Sequence, residues 1–538
     1  MSAPPQCVVF EDEHLLVVNK PPGLNTHSPD SLALEGLYEW LKNREPRWSR
    51  LAIIHRLDKE TSGLIVFGKT AEANRSLTAQ FTERSVQKRY ELLTDKSVPF
   101  KDLEVRSAMV RVGEKYQARP PFAGGELAET VFTRLSSTEG NTRLMAEPRT
   151  GKTHQIRAQA ADRGFPICGD RLYGGTPGPR LCLHAAELGF AHPVSGATLL
   201  FKAPHDFTET SRELLRRAVI ATGETDCFRL LHGAADEAPG WYLDRVGDFL
   251  LSQSDGPLRE EQFETLPGLM ARWSTRGVYH KILSRRVHRL ANEAGSPEWM
   301  FGDRCPDKFI GRENGMAFQF RFTDGYSIGL FLDQRENRRR LLNGYVATGF
   351  EMGGTAPSSR PPLAGLSVLN TFAYTCAFSA CAAAAGAQVT SIDLSRKYLE
   401  WGRENFRANQ IEDQAHEFLH GEVFDWLRRF EKKKRRFDLV ILDPPTFSQS
   451  KQSGAFRVEA DYAKLLRAAV GVLTQDGVLL CCTNAATLSA GEFQRTIRLA
   501  LEQSKRKILQ EHFAPQPPDF PANRSEPAHL KTFWLRVR

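Results

Sequence analysis

The sequence predicts a multidomain protein in which an α+β domain, a small α+β domain and an α/β domain follow one another. Three observations support this prediction. The chain has 538 residues, more than one hydrophobic core normally organises. Short β-type runs with few helices dominate as far as residue 205, whereas strands and helices alternate in the C-terminal part. We therefore expect domains at 1–205, 227–310 and 311–538, with a linker at 206–226.

The N-terminal domain is predicted from short apolar runs bounded by polar turns. A helix is predicted at 71–83, where Ala73, Leu77 and Phe81 recur at helical spacing. The polar stretch after this domain contains one amphipathic segment, so we predict a linker helix within 205–226. The strands predicted in the domain are 8–10, 14–18, 64–67 and 90–93.

The C-terminal domain is predicted from a regular alternation of strands and helices. Each of four apolar strands is followed by a helical segment, the first of which is rich in alanine. Such alternation predicts a parallel sheet covered by helices on both faces. The predicted strands are 368–372, 389–392, 439–442 and 478–482.

Composition and charge exclude some classes of protein and leave others open. The net charge of +8 is compatible with a nucleic-acid partner, but many other proteins share it. Nine scattered cysteines without CxxC or zinc-type spacing favour reduced thiols in the cytoplasm and no metal site. The N-terminus does not resemble a signal peptide, and no apolar stretch is long enough for a membrane span.

The first chemical motif is His55-Arg-Leu-Asp-Lys-Glu-Thr-Ser-Gly63, placed between an apolar run and a strand. Taken alone, Asp58 beside an arginine and a Thr-Ser-Gly turn also fits a structural ion pair or cap. Companion motifs in the expected order favour chemistry instead, and together they resemble the RluA family of pseudouridine synthases over about 7–205. These motifs are 19–27 (NKPPGLNTH), 88–93 (KRYELL), 150–157 (TGKTHQIR), 164–174 (GFPICGDRLYG) and 183–204.

This resemblance implies an RluA-type domain at 1–205 that converts uridine to pseudouridine. The reaction cuts the bond between sugar and base, rotates the base and rejoins it through carbon 5, which requires a carboxylate as nucleophile or base. By the match, Asp58 is that carboxylate and Arg56 fills the gap left by the flipped base. Tyr90 packs on the base, and Arg157 keeps Asp58 ionised. No metal or organic cofactor is implied.

The second chemical motif is a set of polar residues at successive strand ends of the C-terminal domain. Segment 368–376 ends the first predicted strand, Asp393 directly follows the second and Asp443 directly follows the third. A single acid after a strand is usually a cap or turn residue. Three such positions favour a ligand, because ligands of open parallel sheets bind at the carboxyl ends of the strands.

The chain around this motif resembles the RlmI/RlmK group of large-subunit ribosomal RNA methyltransferases over about 226–538. The matching segments are 228–236, 243–248, 324–337, 395–401 and 443–451. The resemblance implies a small RlmI-like domain at 227–310 and a Rossmann-like class I domain at 311–538 that uses S-adenosylmethionine. It implies RNA, in particular large-subunit ribosomal RNA, as partner.

The same resemblance implies residue roles. Asp393 holds the ribose of the cofactor and Glu422 meets its adenine. The expected cofactor-binding residues are Asn370, Phe372, Tyr374, Thr375, Asp393, Glu422 and Asp443. The expected pocket for the target base consists of Asp443, Pro444, Pro445, Phe447 and Asn484.

One residue departs from the family pattern. Cys376 stands where the family has glycine, at a point where the backbone passes close to the cofactor. We expect weakened or adjusted cofactor binding. A non-catalytic RNA-binding or ribosome-assembly role for this half of the chain is the alternative.

Two methylation chemistries occur in the resembled group. Methylation of cytosine carbon 5 needs a cysteine nucleophile, whereas guanine nitrogen 7 attacks the methyl group directly. Asn484 aligns with the nucleophile, and Cys481 and Cys482 are expected to be buried in a strand. We predict 7-methylguanosine, with 5-methylcytosine as the alternative. The basic runs 335–340 and 432–436 are phosphate contacts or solvated helix faces.

Overall fold

The computed structural model describes residues 4–138, 140–283, 295–325, 327–353, 360–450 and 454–538. Three large sheets follow one another along this part of the chain, in the order that the sequence predicts. No helix in these ranges is long and apolar enough to cross a membrane.

The N-terminal sheet is antiparallel except at its centre, where β4 and β10 run parallel. The sequence prediction missed strands β6–β9, because alternate side chains of these strands are charged and exposed and no apolar run marks them. The elements are β1 (Val8–Glu11), β2 (Leu15–Lys20), α1 (Leu37–Lys42), β3 (Ala52–Ile53), β4 (Ser62–Gly68), α2 (Ala71–Thr82), β5 (Gln87–Thr94), β6 (Asp102–Val112), β7 (Lys115–Arg119), β8 (Glu126–Thr138), β9 (Asn141–Pro148), α3 (Gln155–Asp162), β10 (Leu183–Ala191) and β11 (Thr198–Lys202).

The predicted linker contains helix α4 (Ser211–Val219), which begins with a capping box between Thr210 and Glu213. Its apolar side belongs to one core cluster that also contains side chains of the N-terminal sheet and of the following domain. Arg216 is fully buried and donates to the side chain of Asp236 and to the carbonyl of Asp519. The segment is therefore packed into the protein along its length and is not a free tether.

The middle sheet has the order β12-β13-β14-β15-β16. Helix α5 crosses from β14 to β15, which pair in parallel. The expected domain boundary at residue 310 falls inside the following hairpin, whose strands share a core cluster with the C-terminal domain. The elements are β12 (Cys227–His232), β13 (Trp241–Val246), β14 (Phe249–Ser254), α5 (Glu260–Arg272), β15 (Gly277–Ile282), β16 (Glu298–Gly302), β17 (Phe309–Glu313) and β18 (Met316–Phe320).

The C-terminal sheet has the order β23-β22-β21-β24-β27-β29-β28, with a separate core on each face. The four predicted strands, β21, β22, β24 and β27, run parallel as expected, and β23, which was not predicted, pairs in parallel with β22. Strand β29 follows the proline-rich segment 515–527 and pairs antiparallel with both β27 and β28, neither β28 nor β29 having been predicted. The elements are α6 (Arg335–Asn343), β19 (Tyr345–Ala347), β20 (Phe350–Glu351), β21 (Ser367–Thr371), α7 (Ala377–Ala384), β22 (Gln388–Asp393), α8 (Arg396–Ala408), β23 (Glu417–His420), α9 (Val423–Lys432), β24 (Phe437–Leu442), β25 (Phe447–Ser450), β26 (Gly454–Arg457), α10 (Val458–Val470), β27 (Leu473–Thr483), α11 (Ala490–Gln503), β28 (Ile508–Phe513) and β29 (Lys531–Val537).

Two candidate active sites

The first candidate site is a cleft of about 770 Å³ on the N-terminal sheet. The loop between β3 and β4 carries Asp58 into this cleft, and β5, the turn before α3 and residues 25–27 form its walls. The amide of Thr61 donates to the carbonyl of Asp58 at 3.1 Å, which tightens the loop beneath the carboxylate. The structure brings all four predicted residues into the cleft: Arg56, Asp58, Tyr90 and Arg157.

Arg157 lies between two carboxylates. Its Nε and Nη2 donate to Asp170 at 2.8 and 2.9 Å, and its Nη1 lies 3.5 Å from Oδ2 of Asp58. The side chain of Asp170 is fully buried, so this two-point contact fixes the plane of the guanidinium. The remaining nitrogen is thereby directed at Asp58. The sequence motif contained Asp170 but gave it no role.

His154 is a second neighbour of Asp58 that the sequence reasoning missed. Its Nε2 lies 3.8 Å from Oδ2 of Asp58, and its Nδ1 lies 3.0 Å from the hydroxyl of Tyr173. That hydroxyl accepts from the amide of Tyr116 at 2.9 Å, so its own proton is directed to Nδ1. The hydrogen-bond pattern places the ring proton on Nε2, facing Asp58. Burial lowers the pKa of His154, which favours this neutral form.

Lys20, from the NKPPG segment, stabilises the loop that carries Asp58. It is fully buried, and its Nζ donates to the carbonyls of Pro21, Leu24 and Lys59 at 2.8–2.9 Å. Lys59 directly follows Asp58, so the lysine joins the two segments that border the carboxylate. The hydroxyl of Thr26 makes a similar connection to the carbonyl of Leu57 at 2.8 Å.

Arg56 and Tyr90 differ in exposure. Arg56 is exposed at the mouth of the cleft, whereas Tyr90 on β5 is partly buried, and burial raises the pKa of its phenol. Tyr90 therefore presents a neutral ring that can pack on a flat ligand. Five further basic side chains line the cleft and suit a phosphate backbone: Lys59, Arg84, Lys88, Arg149 and Lys152.

The second candidate site is a cavity of about 600 Å³ at the carboxyl edge of the C-terminal sheet. Asp393 ends β22, Glu422 immediately precedes α9 and Asp443 follows β24, so the sheet topology brings the three predicted acids together. Burial is the largest factor that raises the pKa of each of these acids, to about 7 for Asp443. Phe372, Tyr374, Pro444, Pro445 and Asn484 also line the cavity.

The loop between β21 and α7 has an unusual backbone. Phe372, Tyr374 and Cys376 have φ angles of 52°, 47° and 57°, a left-handed conformation that costs about 1–2 kcal/mol for each L-residue. The loop places the amide of Tyr374 2.8 Å from one carboxylate oxygen of Asp393. The amide of Ser395 donates to the other oxygen at 2.8 Å. Asp393 is thus fixed before any ligand binds.

Three predicted residues do not line the cavity with a described side chain. Asn370 is buried and donates to the hydroxyl of Ser379 at 2.9 Å. Thr375 is buried and donates to the carbonyl of Gly329 at 2.6 Å. Both side chains stabilise the backbone around the cavity and do not face it. The side chain of Phe447 lies outside the described residues.

Cys376 does not obstruct the cavity. Its side chain is fully buried at the start of α7 and is directed towards α8, where Gly402 makes room for it. A Cβ atom built on Gly402 would lie 2.5 Å from the sulfur of Cys376. The sequence analysis raised the expectation that Cys376 hinders cofactor binding. The packing of its side chain does not support this expectation.

The two cysteines of β27 lie in the core. Cys481 and Cys482 are both fully buried, and burial raises the thiol pKa of Cys481 to about 12. Neither lines the cavity, whereas Asn484, at the exposed end of the strand, does. The burial of both cysteines agrees with their prediction as buried strand residues.

The basic run 335–340 is not a phosphate-binding surface or a solvated helix face, and that part of the sequence interpretation was wrong. It forms α6, and its four arginines are at most 2% exposed. Arg335 pairs with Asp519 and Arg338 with Glu313, which neutralises the charge inside the protein. The run 432–436 is largely exposed, at the edge of the sheet opposite the cavity.

The second cavity fits S-adenosylmethionine. Carboxylates at the ends of neighbouring strands can accept hydrogen bonds from a ribose and an adenine amine. The acidic lining also suits a sulfonium cation. Among the described residues, no three His, Cys, Asp or Glu side chains stand close enough to hold a metal ion.

Comparison with known proteins finds two families along the chain. A family model described as RNA pseudouridylate synthase matches residues 14–162, and one described as S-adenosylmethionine-dependent methyltransferase matches residues 258–536. The dual-specificity RNA pseudouridine synthase RluA of Haemophilus influenzae is 36% identical over 211 residues, which span 37% of this chain and 93% of that protein. Both resemblances inferred from the motifs are confirmed.

Two relatives match the C-terminal part. A ribosomal RNA large subunit methyltransferase of Deinococcus radiodurans is 30% identical over 340 residues, 60% of this chain and 77% of that protein. The ribosomal RNA large subunit methyltransferase K of Neisseria meningitidis serogroup B is 34% identical over 201 residues, 37% of this chain and 52% of that protein. The solved structure of SMU.776 in complex with SAH has a similar fold, with a TM-score of 0.51, 24% identity and coverage of 71% of this chain and 98% of that one.

Proposed function

The chain belongs to the S-adenosylmethionine-dependent methyltransferase family in its C-terminal part and to the RNA pseudouridylate synthases in its N-terminal part, and on this premise we propose that both sites modify large-subunit ribosomal RNA. The first site isomerises uridine at Asp58. The second methylates guanine at nitrogen 7. Nine free thiols favour a reducing compartment, the cytoplasm, for both reactions.

At the first site, the proposal rests on the arrangement around Asp58. Arg157 and the Nε2 proton of His154 both face its carboxylate, the group that acts at the sugar. Tyr90 packs on the flipped uracil and Arg56 replaces it in the RNA stack. The basic lining of the cleft binds the flanking phosphates.

At the second site, the proposal rests on Asn484 in the cavity and the burial of Cys481 and Cys482. Bound S-adenosylmethionine supplies the methyl group. Asp393 and Glu422 hold its adenosine, and Asp443 with Pro444 borders the target base. Guanine nitrogen 7 carries a free lone pair and needs no nucleophile from the protein. Cytosine carbon 5 would need a thiolate at the base, and the described lining offers none.

Mass spectrometry of ribosomal RNA nucleosides, after reaction with methyl-labelled S-adenosylmethionine, tests the second assignment. We expect label in 7-methylguanosine. Label in 5-methylcytosine that disappears in a Cys482→Ala variant would favour the alternative reaction. Calorimetry with S-adenosylmethionine and the whole protein tests the non-catalytic alternative, which predicts no binding.

An Asp58→Asn variant tests the first assignment. It removes the charge of the carboxylate and nearly keeps its shape, so we expect loss of pseudouridine formation with methylation intact. Conversion of uridine at the wild-type rate by this variant would contradict the proposal.

A further inference from the structure

The methyltransferase cavity contains two neighbouring carboxylates in different electrostatic settings. Asp333 lies in the short 3-10 turn Leu332–Gln334 before α6, and Asp443 follows β24. Burial would raise the pKa of Asp333, but His529, Arg338 and Arg229 together hold it below its ordinary value. Burial and repulsion from Asp333 raise the pKa of Asp443 to about 7. Asp333 is therefore the permanent anion of the pair.

The position of Asp333 is fixed by its partner. Its Oδ2 lies 3.1 Å from Nε2 of His529, whose backbone amide donates to Gln516 at 3.0 Å. The ring of His529 also packs beside Phe520, with centroids 6.0 Å apart. The carboxylate is 14% exposed and lines the cavity, so it can meet a ligand without leaving His529.

Asp443 is held by a directed series of amide hydrogen bonds. The indole of Trp534 donates to Oδ1 of Asn337 at 3.0 Å. Because an indole is only a donor, the nitrogen of Asn337 must face Gln334, to whose oxygen it donates at 2.7 Å. The nitrogen of Gln334 then donates to Asp443 at 3.1 Å. Asp333 and Asp443 thus both have set orientations.

Guanine is the base whose chemistry fits a fixed anion here. Its Watson–Crick edge presents two adjacent donors, the N1–H and the 2-amino group. Cytosine and adenine each place an acceptor beside their amino group, which a carboxylate repels. In the methyl transfer, the lone pair of nitrogen 7 forms the bond to the methyl carbon while the carbon–sulfur bond breaks and its electron pair stays on sulfur. The sulfonium becomes neutral and the guanine gains the positive charge.

We propose that Asp333, oriented by His529, accepts hydrogen bonds from the N1–H and 2-amino group of the target guanine and stabilises the positive charge that methylation leaves on the base. The inference rests on the proposed function of this site and adds the residue that selects the base. A carboxylate at the N1–H acts more strongly in the transition state than before it, because the charge on the base develops there.

The test uses the whole enzyme and a synthetic RNA fragment that contains the guanosine at which the wild-type enzyme forms 7-methylguanosine. Asp333→Asn keeps the shape and removes the charge. We expect kcat to fall about 100- to 1,000-fold, the scale of losing one preorganised electrostatic contact. Calorimetric affinity for S-adenosylmethionine should change by less than about twofold. The exposed Asp303→Asn, in the middle domain, is the matched control.

Inosine at the target position removes only the 2-amino group. We expect kcat/KM of the wild-type enzyme to be about 10-fold or more lower on inosine than on guanosine, the value of a hydrogen bond to a charged group. For Asp333→Asn, the difference between the two substrates should be far smaller. Wild-type rates on guanosine and inosine that agree within about twofold would overturn the inference even if the variant does not fold. So would 7-methylguanosine formation by folded Asp333→Asn at the wild-type kcat. Methyl label on another base contradicts the proposed function instead.

Discussion

The contact between the two halves of the chain provides the sharpest stability prediction. Glu336 of α6 accepts from Arg44, which follows α1, at 3.1 Å, and from Arg339 at 2.7 Å. All three side chains are at most 5% exposed. Glu336→Gln would leave two buried guanidinium groups without an anion. Removing one partner of a buried ion pair costs about 3–5 kcal/mol, and we expect a loss of this size.

Urea unfolding of the whole protein measures this loss, with the exposed Glu264→Gln as control. The arginines hold the pKa of Glu336 well below its usual 4.5 against the effect of burial. Its contribution is therefore complete above about pH 4.5 and declines as the pH falls below it, so wild type and variant should converge in acid. A loss under about 1 kcal/mol at pH 7, the value of a surface pair, would refute the reasoning.

Three further predictions concern the sites. Asp170→Asn should slow pseudouridine formation about 10- to 100-fold in a tritium-release assay, because Arg157 loses a charged partner, and an unchanged rate would exclude this orienting role. Asp393→Asn should weaken calorimetric affinity for S-adenosylmethionine by a similar factor, and equal affinity would remove Asp393 from the cofactor site. Gly402→Ala should lower the free energy of unfolding by about 1–3 kcal/mol, because the new methyl group meets the sulfur of Cys376. Adding Cys376→Gly should restore this stability in urea unfolding, and no restoration would show that the sulfur is not the obstacle.

The candidate site residues that the sequence predicted lie in short local motifs. Asp58, Arg157, Asp393 and Asp443 lie in short segments whose chemistry is visible in the residues themselves. Four of the five parallel strands of the C-terminal sheet were also visible, because strands buried on both faces form continuous apolar runs. The edge strands β23 and β28 were missed, since they are only partly buried.

Long-range pairing accounts for what the sequence could not show. The arginines of α6 look like a surface run, because the acid that neutralises Arg335 is Asp519, 184 positions away. Asp333 and His529 are 196 positions apart, so no local pattern marks them as partners.

The same long-range contacts connect the two sites. The first amides of α1 donate to the carbonyls of Asn25 and Thr26, which line the synthase cleft. The end of α1 and the residues after it meet α6 through Arg44 and Glu336, and α6 begins directly after Gln334, which holds Asp443. A continuous series of buried contacts thus runs from one active site to the other. These contacts join the two cavities within one packed structure, unlike two enzymes connected by a free linker.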